Sequence, residues 1–205
     1  ILESSASQLR IYNLNTLLTS LSNAASGTNV SLSSHLRATF TAGLNRPMAM
    51  AVDQEKGEVY IANDGNRSIV VYGLDDLTDT DPARTLSGTN TQLVRPFGLF
   101  IDTVRNILYV TDIGSHRVLA FEGSSGKSGN IAPDRTLSSA TLAAPDKLAA
   151  PTAPFMNVAK DRLFLINRQN DSIYLYDDVS TLNGEIAPDR KLVGSETHLI
   201  FSQNA

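Results

Sequence analysis

The chain has 205 residues and a mass of 22.1 kDa, with 41% hydrophobic and 19% charged residues, the balance of a globular domain and not of a disordered or membrane-embedded one. Its formal net charge is −4 and its 17 basic residues are scattered, with no run longer than the pair Arg190–Lys191, so the clustered positive charge that nucleic-acid binding calls for is missing from the sequence. There is no cysteine, which removes disulfide frameworks, thiolate zinc sites and cysteine nucleophiles together, and no run approaches the roughly 20 apolar residues of a membrane span.

In chain order, the first segment, ILESSASQLRIYNL, aligns with the later IANDGNRSIVVYGL when Tyr12 is set against Tyr72, so the chain enters in the middle of a repeated unit. It also begins at Ile1 and not at Met, which reads as a processed product or a piece of a longer chain. Residues 13–34 are rich in Ser, Thr and Asn; a solvated loop is expected there, with a short helix capped at Asn15 as the alternative.

From Arg46 the repeat is complete. RPMAMAVDQEKGEVYIANDGNRSIVVYGL is followed, 49 residues on, by RPFGLFIDTVRNILYVTDIGSHRVLAFEG from Arg95, and a third copy, APFMNVAKDRLFLINRQNDSIYLYDD, is read from Ala153. Each copy ends alike, in DPARTLSG, APDRTLSS and APDRKLVG. The runs VYIA, ILYV and LFLI, then IVVY, VLAF and IYLY, carry the β-branched and aromatic residues of strands. Gly, Asn, Asp and Ser gather between them, as tight turns require.

Each unit is therefore a meander of four strands. Strand A follows the Pro, strand B carries Tyr60, Tyr109 or Phe164, strand C carries Tyr72, Phe121 or Tyr176, and strand D follows Arg84, Arg135 or Arg190. A lone meander leaves both faces uncovered, so such units stack around an axis. The expected fold is all-β: a β-propeller of four-stranded antiparallel blades, about four in this single domain. The blades are placed at residues 198–205 with 1–45, then 46–94, 95–145 and 146–197. After Gly194 the segment SETHLIFSQ falls where a new strand A is due, and His198 to Phe201 would close the ring against the N-terminal strands. The alternative is a fragment of a six- or seven-bladed propeller.

The elements RPFGLFID, ILYVTD, HRVLAF and GNIAPDRTLS resemble NHL-type repeats and the related YVTN propeller repeats over nearly the whole chain. The resemblance implies a propeller, and such propellers serve as binding platforms, scaffolds and occasionally enzymes. Asn157, read as replacing the usual Gly region, and the insertion after Asn13 depart from the pattern.

Asp53 and Asp102 end strand A in successive units, and their recurrence points to turn caps or partners of the recurring arginines more than to catalysis. Among enzymes, the gluconolactonase and regucalcin propellers hold an axial divalent ion, for which Glu3, Asn63, Asp112, Asn157 and Asn167 offer oxygens. His35, His116 and His198 stand apart from one another, and His116 reads as a solvent-facing turn residue. No G-x-S-x-G, P-loop, H-E-x-x-H or calcium-loop motif occurs.

The functional expectation is a noncatalytic binding or scaffolding propeller without a cofactor, engaging a protein or small polar ligand through the face that carries the D-to-A and B-to-C connections. Its candidate residues are Asn63, Asp64, Arg67, Arg95, Asp112, His116, Arg117, Asn167 and Arg168, bordered by residues 139–153. The alternative is a metal-dependent, lactonase-like hydrolase with a cation such as calcium on the axis. An extracellular or periplasmic location is expected, as a monomer, or self-associated if the ring is incomplete.

Overall fold

The computed structural model describes residues 2–3, 5–74, 81–143 and 146–194. The first sheet is built from β1 (Leu2–Glu3), β2 (Gln8–Tyr12) and β3 (Leu36–Phe40) in that order. The second holds β4 (Pro47–Asp53), β5 (Glu58–Asn63), β6 (Ser68–Gly73) and β7 (Arg84–Ser87), antiparallel in chain order. The third repeats this with β8 (Pro96–Asp102), β9 (Ile107–Asp112), β10 (Arg117–Glu122) and β11 (Arg135–Ser138). The fourth holds β12 (Pro151–Asn157), β13 (Arg162–Asn167), β14 (Ser172–Tyr176) and, beyond the short β15 (Gly184–Glu185), β16 (Arg190–Leu192).

Burial explains the two kinds of strand in the sequence. Val59, Tyr60, Ile61 and Ala62 are all buried, because the second sheet is covered on both faces and an unbroken apolar run is then the stable solution. In β13 and β14 burial alternates: Leu163, Leu165, Tyr174 and Tyr176 face the third sheet, while Phe164, Ile166 and Ile173 stay half-exposed and Phe155 is 63% exposed. The fourth sheet is thus covered on one face among the described residues.

Three apolar clusters fill the three spaces between successive sheets, centred on Phe40 and Tyr72, on Tyr60 and Phe121, and on Tyr109 and Tyr176. The first strands of the units, β4, β8 and β12, lie side by side. Gly98 makes this approach possible. A Cβ there would collide with the Thr152 carbonyl, and Thr111 Oγ1 donates to that same carbonyl.

Each first strand starts at a proline, where no ladder donor is needed, and a bulge follows immediately: Pro47, Pro96 and Pro151 lie opposite Asn63, Asp112 and Asn167. This corrects the reading of the third copy. Its equivalent proline is Pro151, not Pro154, and Asn157 stands in the place of Asp53 and Asp102, not of a glycine. All three cap the A-to-B turn: Asp53 accepts from the Glu55 and Lys56 amides, Asp102 from that of Arg105 and Asn157 from that of Lys160.

Residues 14–23 also depart from the loop expectation. They form α1 (Leu14–Asn23), capped by Asn13 and not Asn15, with Asn13 Oδ1 accepting from the Thr16 amide at 3.2 Å. The helix buries no residue, so its cap, its own hydrogen bonds and the Thr16 bond to His35 Nδ1 (2.9 Å) hold it. The segment proposed to close the ring, residues 198–201, lies outside the described residues.

Neighbouring sheets are stitched through the C-to-D connectors. β15 belongs to the chain of the fourth unit but pairs in parallel with β11 of the third, and Gly129 bridges to Leu86 in the same way one unit earlier. Arg84 Nη1 donates to the carbonyls of Ser124 (2.8 Å) and Lys127 (3.1 Å), and Arg135 Nη1 to those of Val179 (2.7 Å) and Leu182 (3.3 Å). The recurring arginine is therefore a staple between units.

Candidate ligand-binding face

The D-to-A and B-to-C connections of each unit are tied to one another before any ligand is considered. The amide of Asp64 donates to the Arg46 carbonyl (3.2 Å), that of Ile113 to Arg95 (3.0 Å) and that of Arg168 to Ala150 (3.2 Å). Beneath each pair lies a fully buried acid or amide. Asn63 Oδ1 accepts from the Asn45 amide while its Nδ2 donates to the Gly43 carbonyl and to Ser68 Oγ. Asn167 bonds the Ala149 amide and the Lys147 carbonyl alike.

Asp112 does the same work as a carboxylate, accepting from the amides of Val94, Arg95, Gly114 and Ser115 and from Ser115 Oγ. Asn63, Asp112 and Asn167 thus support the face from below, each at 0% exposure. The turn conformations demand this support. Arg46, Arg67, His116, Ala150 and Asp171 all have φ near +50°, a region that costs a residue other than glycine about 1 kcal/mol or more.

Of the remaining sequence-predicted residues, Asp64 and Arg95 come together. Asp64 is 5% exposed and lies between two guanidiniums: Arg46 Nη2 at 3.2 Å and Arg95 Nε at 3.4 Å. Both arginine side chains keep about half of their surface open, at 57% and 42%. Arg46 was not singled out from the sequence, although its recurrence with Arg95 at a spacing of 49 was the available signal.

Arg67 is exposed on the turn beside them, and Arg117 Nη1 donates to Gln92 Oε1 at 3.2 Å. His116 is not solvent-facing as expected. It is half-buried, and its Nδ1 accepts the Ala150 amide at 2.9 Å, which joins the third unit to the fourth. Arg168 is half-buried at the far end of the face.

Four of the side chains considered for an axial cation are engaged with backbone amides. The oxygens of Asn63, Asp112 and Asn167 are taken by backbone amides within their own loops, and Asn157 Oδ1 is the Lys160 cap. Among the described residues no three His, Cys, Asp or Glu side chains gather as metal ligands.

No protein-family model matches the sequence, and no curated protein matches it. Solved structures do. The WD40 repeats of RRP9 share 11% identity at a TM-score of 0.51, covering 72% of this chain and 38% of that one. A chain of the nidogen/laminin complex gives 17% and 0.54, covering 79% and 52%. The chain is a β-propeller.

A proposed 6-phosphogluconolactonase from Bacteroides uniformis is similar at 13% identity and a TM-score of 0.54, covering 80% of this chain and 47% of that one. The propeller described here spans about half the length of the solved chains it matches or less. No helix among its described residues is long and apolar enough to cross a membrane.

Proposed function

We propose that this propeller is a noncatalytic binding or scaffolding module whose D-to-A and B-to-C face takes a carboxylate-bearing peptide or small acid. The observation that carries this is the set of arginines on loops stitched to the blades: Arg46 and Arg95 preoriented on the buried Asp64, with Arg67 and Arg117 beside them. A planar guanidinium already fixed on one carboxylate keeps donors for a second and loses little side-chain freedom on binding. Arg168 and His116 border the same surface.

A poly-glutamate peptide titrated calorimetrically at low salt is the direct probe. The triple variant Arg46→Gln, Arg67→Gln, Arg117→Gln is expected to lose at least about tenfold in affinity, while Lys160→Gln at the opposite end of the blades leaves it unchanged. Equal binding by both variants overturns the reading. Arg95 is left in place so that Asp64 keeps a cation.

The NHL or YVTN kinship, the four-blade ring and an exported location belong to the same proposal. What supports ring closure by residues 198–201 is the first sheet, which has three described strands where each of the other sheets adds a first strand, β4, β8 or β12. An apolar groove of about 340 Å³ lies there, lined by Leu9, Ile11, Tyr12, Leu17, Met50 and Val52. In this cysteine-free chain, Glu3→Cys with His198→Cys should form an intramolecular disulfide if the strand closes the ring, and none if the chain continues a larger one.

A further inference from the structure

A small buried cavity lies where the third sheet departs from the second. In the second sheet the Glu58 carboxylate bridges two donors, accepting from Tyr60 Oη at 2.7 Å and from Arg84 Nη2 at 2.5 Å. The equivalent residues of the third sheet are Ile107, Tyr109 and Arg135, so the bridging acceptor has become a hydrocarbon. Arg135 recovers an anion from across the strand pair, where Glu122, opposite Ile107, accepts from its Nε at 2.7 Å. That contact satisfies Nε and leaves Nη2.

Two buried donor atoms, Tyr109 Oη and Arg135 Nη2, consequently make no hydrogen bond of ordinary geometry among the described residues, although the two groups lie close enough to interact with each other. Tyr109 is 1% exposed, and both residues line one cavity together with Val118, Leu137, Val179 and Leu182. This cavity is open to the centre of a water molecule over about 10 Å³, close to the roughly 10–15 Å³ that one water requires and too small for a larger anion. Glu122 has already neutralised the guanidinium, so the site needs an acceptor and not a further charge.

We propose that a single ordered water occupies this cavity, accepting from Tyr109 Oη and Arg135 Nη2 and standing in for the Glu58 carboxylate of the preceding repeat. The carbonyls of Val179 and Leu182, each already accepting once from Arg135 Nη1, offer a second lone pair to its hydrogens. The water then joins the third blade to the connector of the fourth.

A high-resolution crystal structure should show solvent density within hydrogen-bond distance of both donor atoms, and Tyr109→Phe should lower Tm by about 3 °C, the same loss expected of Tyr60→Phe, which gives up the Glu58 bond. The double variant Ile107→Glu, Glu122→Gly recreates the second sheet's residues at these positions, and its new carboxylate should take both donors and displace the density. The proposal is overturned by a site without density, by an unchanged or raised Tm for Tyr109→Phe, or by density that persists beside the new carboxylate.

Discussion

The second and third sheets share the same four antiparallel strands, yet they neutralise the same arginine by different routes. In the second, the acid is Glu58 on the B strand, facing Gly73; in the third it is Glu122 at the end of the C strand, facing Ile107. The fourth sheet follows the third: Asp177 comes directly after Tyr176 as Glu122 does after Phe121, and it holds Arg190 and also Arg162. What stays constant between the second and third is the guanidinium, its place over a tyrosine ring and its Nη1 bonds to two carbonyls of the next unit.

The lesson is that geometry constrains the staple more tightly than it constrains the counterion. Nη1 must reach two backbone carbonyls of a neighbouring sheet, which only one strand position allows. A carboxylate needs only to reach the guanidinium, and residues opposite each other on paired strands reach it equally well.

The comparison breaks first at the loop supports. Asp112 has both oxygens surrounded by donors, so Asp112→Ala should cost about 4 kcal/mol, and Asp112→Asn nearly as much because its amide would face backbone N–H groups. Asn63→Asp should fail for the opposite reason, by setting a carboxylate against the Gly43 carbonyl. Urea unfolding of the three variants tests the pair; a mild Asp112→Asn would show that the two supports are interchangeable.

The staples come next. Arg84→Ala is expected to cost about 3 kcal/mol, because it abandons Glu58 at 20% exposure, and Arg135→Ala about 2 kcal/mol, because Glu122 at 48% exposure can turn to water. Equal losses by chemical denaturation would assign the effect to the shared carbonyl bonds alone.

A smaller difference separates Tyr72 from its counterpart Phe121. Tyr72 Oη donates to the Ala42 carbonyl, and burial, with Asp81 nearby, pushes its pKa up to about 12. The unfolded chain ionises this phenol near 10, so the folded state holds the proton longer; stability is complete below about pH 10 and declines as pH rises toward 12. Tyr72→Phe should cost about 1 kcal/mol at neutral pH and flatten that alkaline decline, read as Tm against pH.

The least effect is expected at the parallel stitch that the third sheet has and the second reduces to one bridge. Glu185 is held below the usual carboxylate range by the Ser138 hydroxyl and then by the Thr141 amide. A depressed value means stability that is present above the ordinary carboxylate pKa and lost as pH falls through and below it. Glu185→Gln should therefore lower Tm by about 1 °C at neutral pH and by progressively less as pH falls below the ordinary carboxylate range.

Much of this was legible from the chain alone. The strands, the fifty-residue unit and the structural part played by Asp53, Asp102 and Arg84 follow from recurrence, since a residue needed once per blade marks the blade and not a unique site. The misplaced start of the third copy came from matching Pro154 by identity, when the position is defined by its partner Asn167 across the bulge. Asn63, Asp112 and Asn167 were read as part of a binding face because turn polar residues look alike in sequence whether they point outward or cap a loop from beneath.

The sequence by itself determined the repeated all-β meander, because alternation, turn chemistry and spacing are local and periodic properties. Only the tertiary structure decided which side chains are shared between units. Arg135 reaches carbonyls 44 and 47 residues away, His116 accepts an amide from 34 residues on, and Glu122 replaces Glu58 through strand pairing. Such contacts depend on how one sheet sits against the next, a distance in space that no spacing along the chain records.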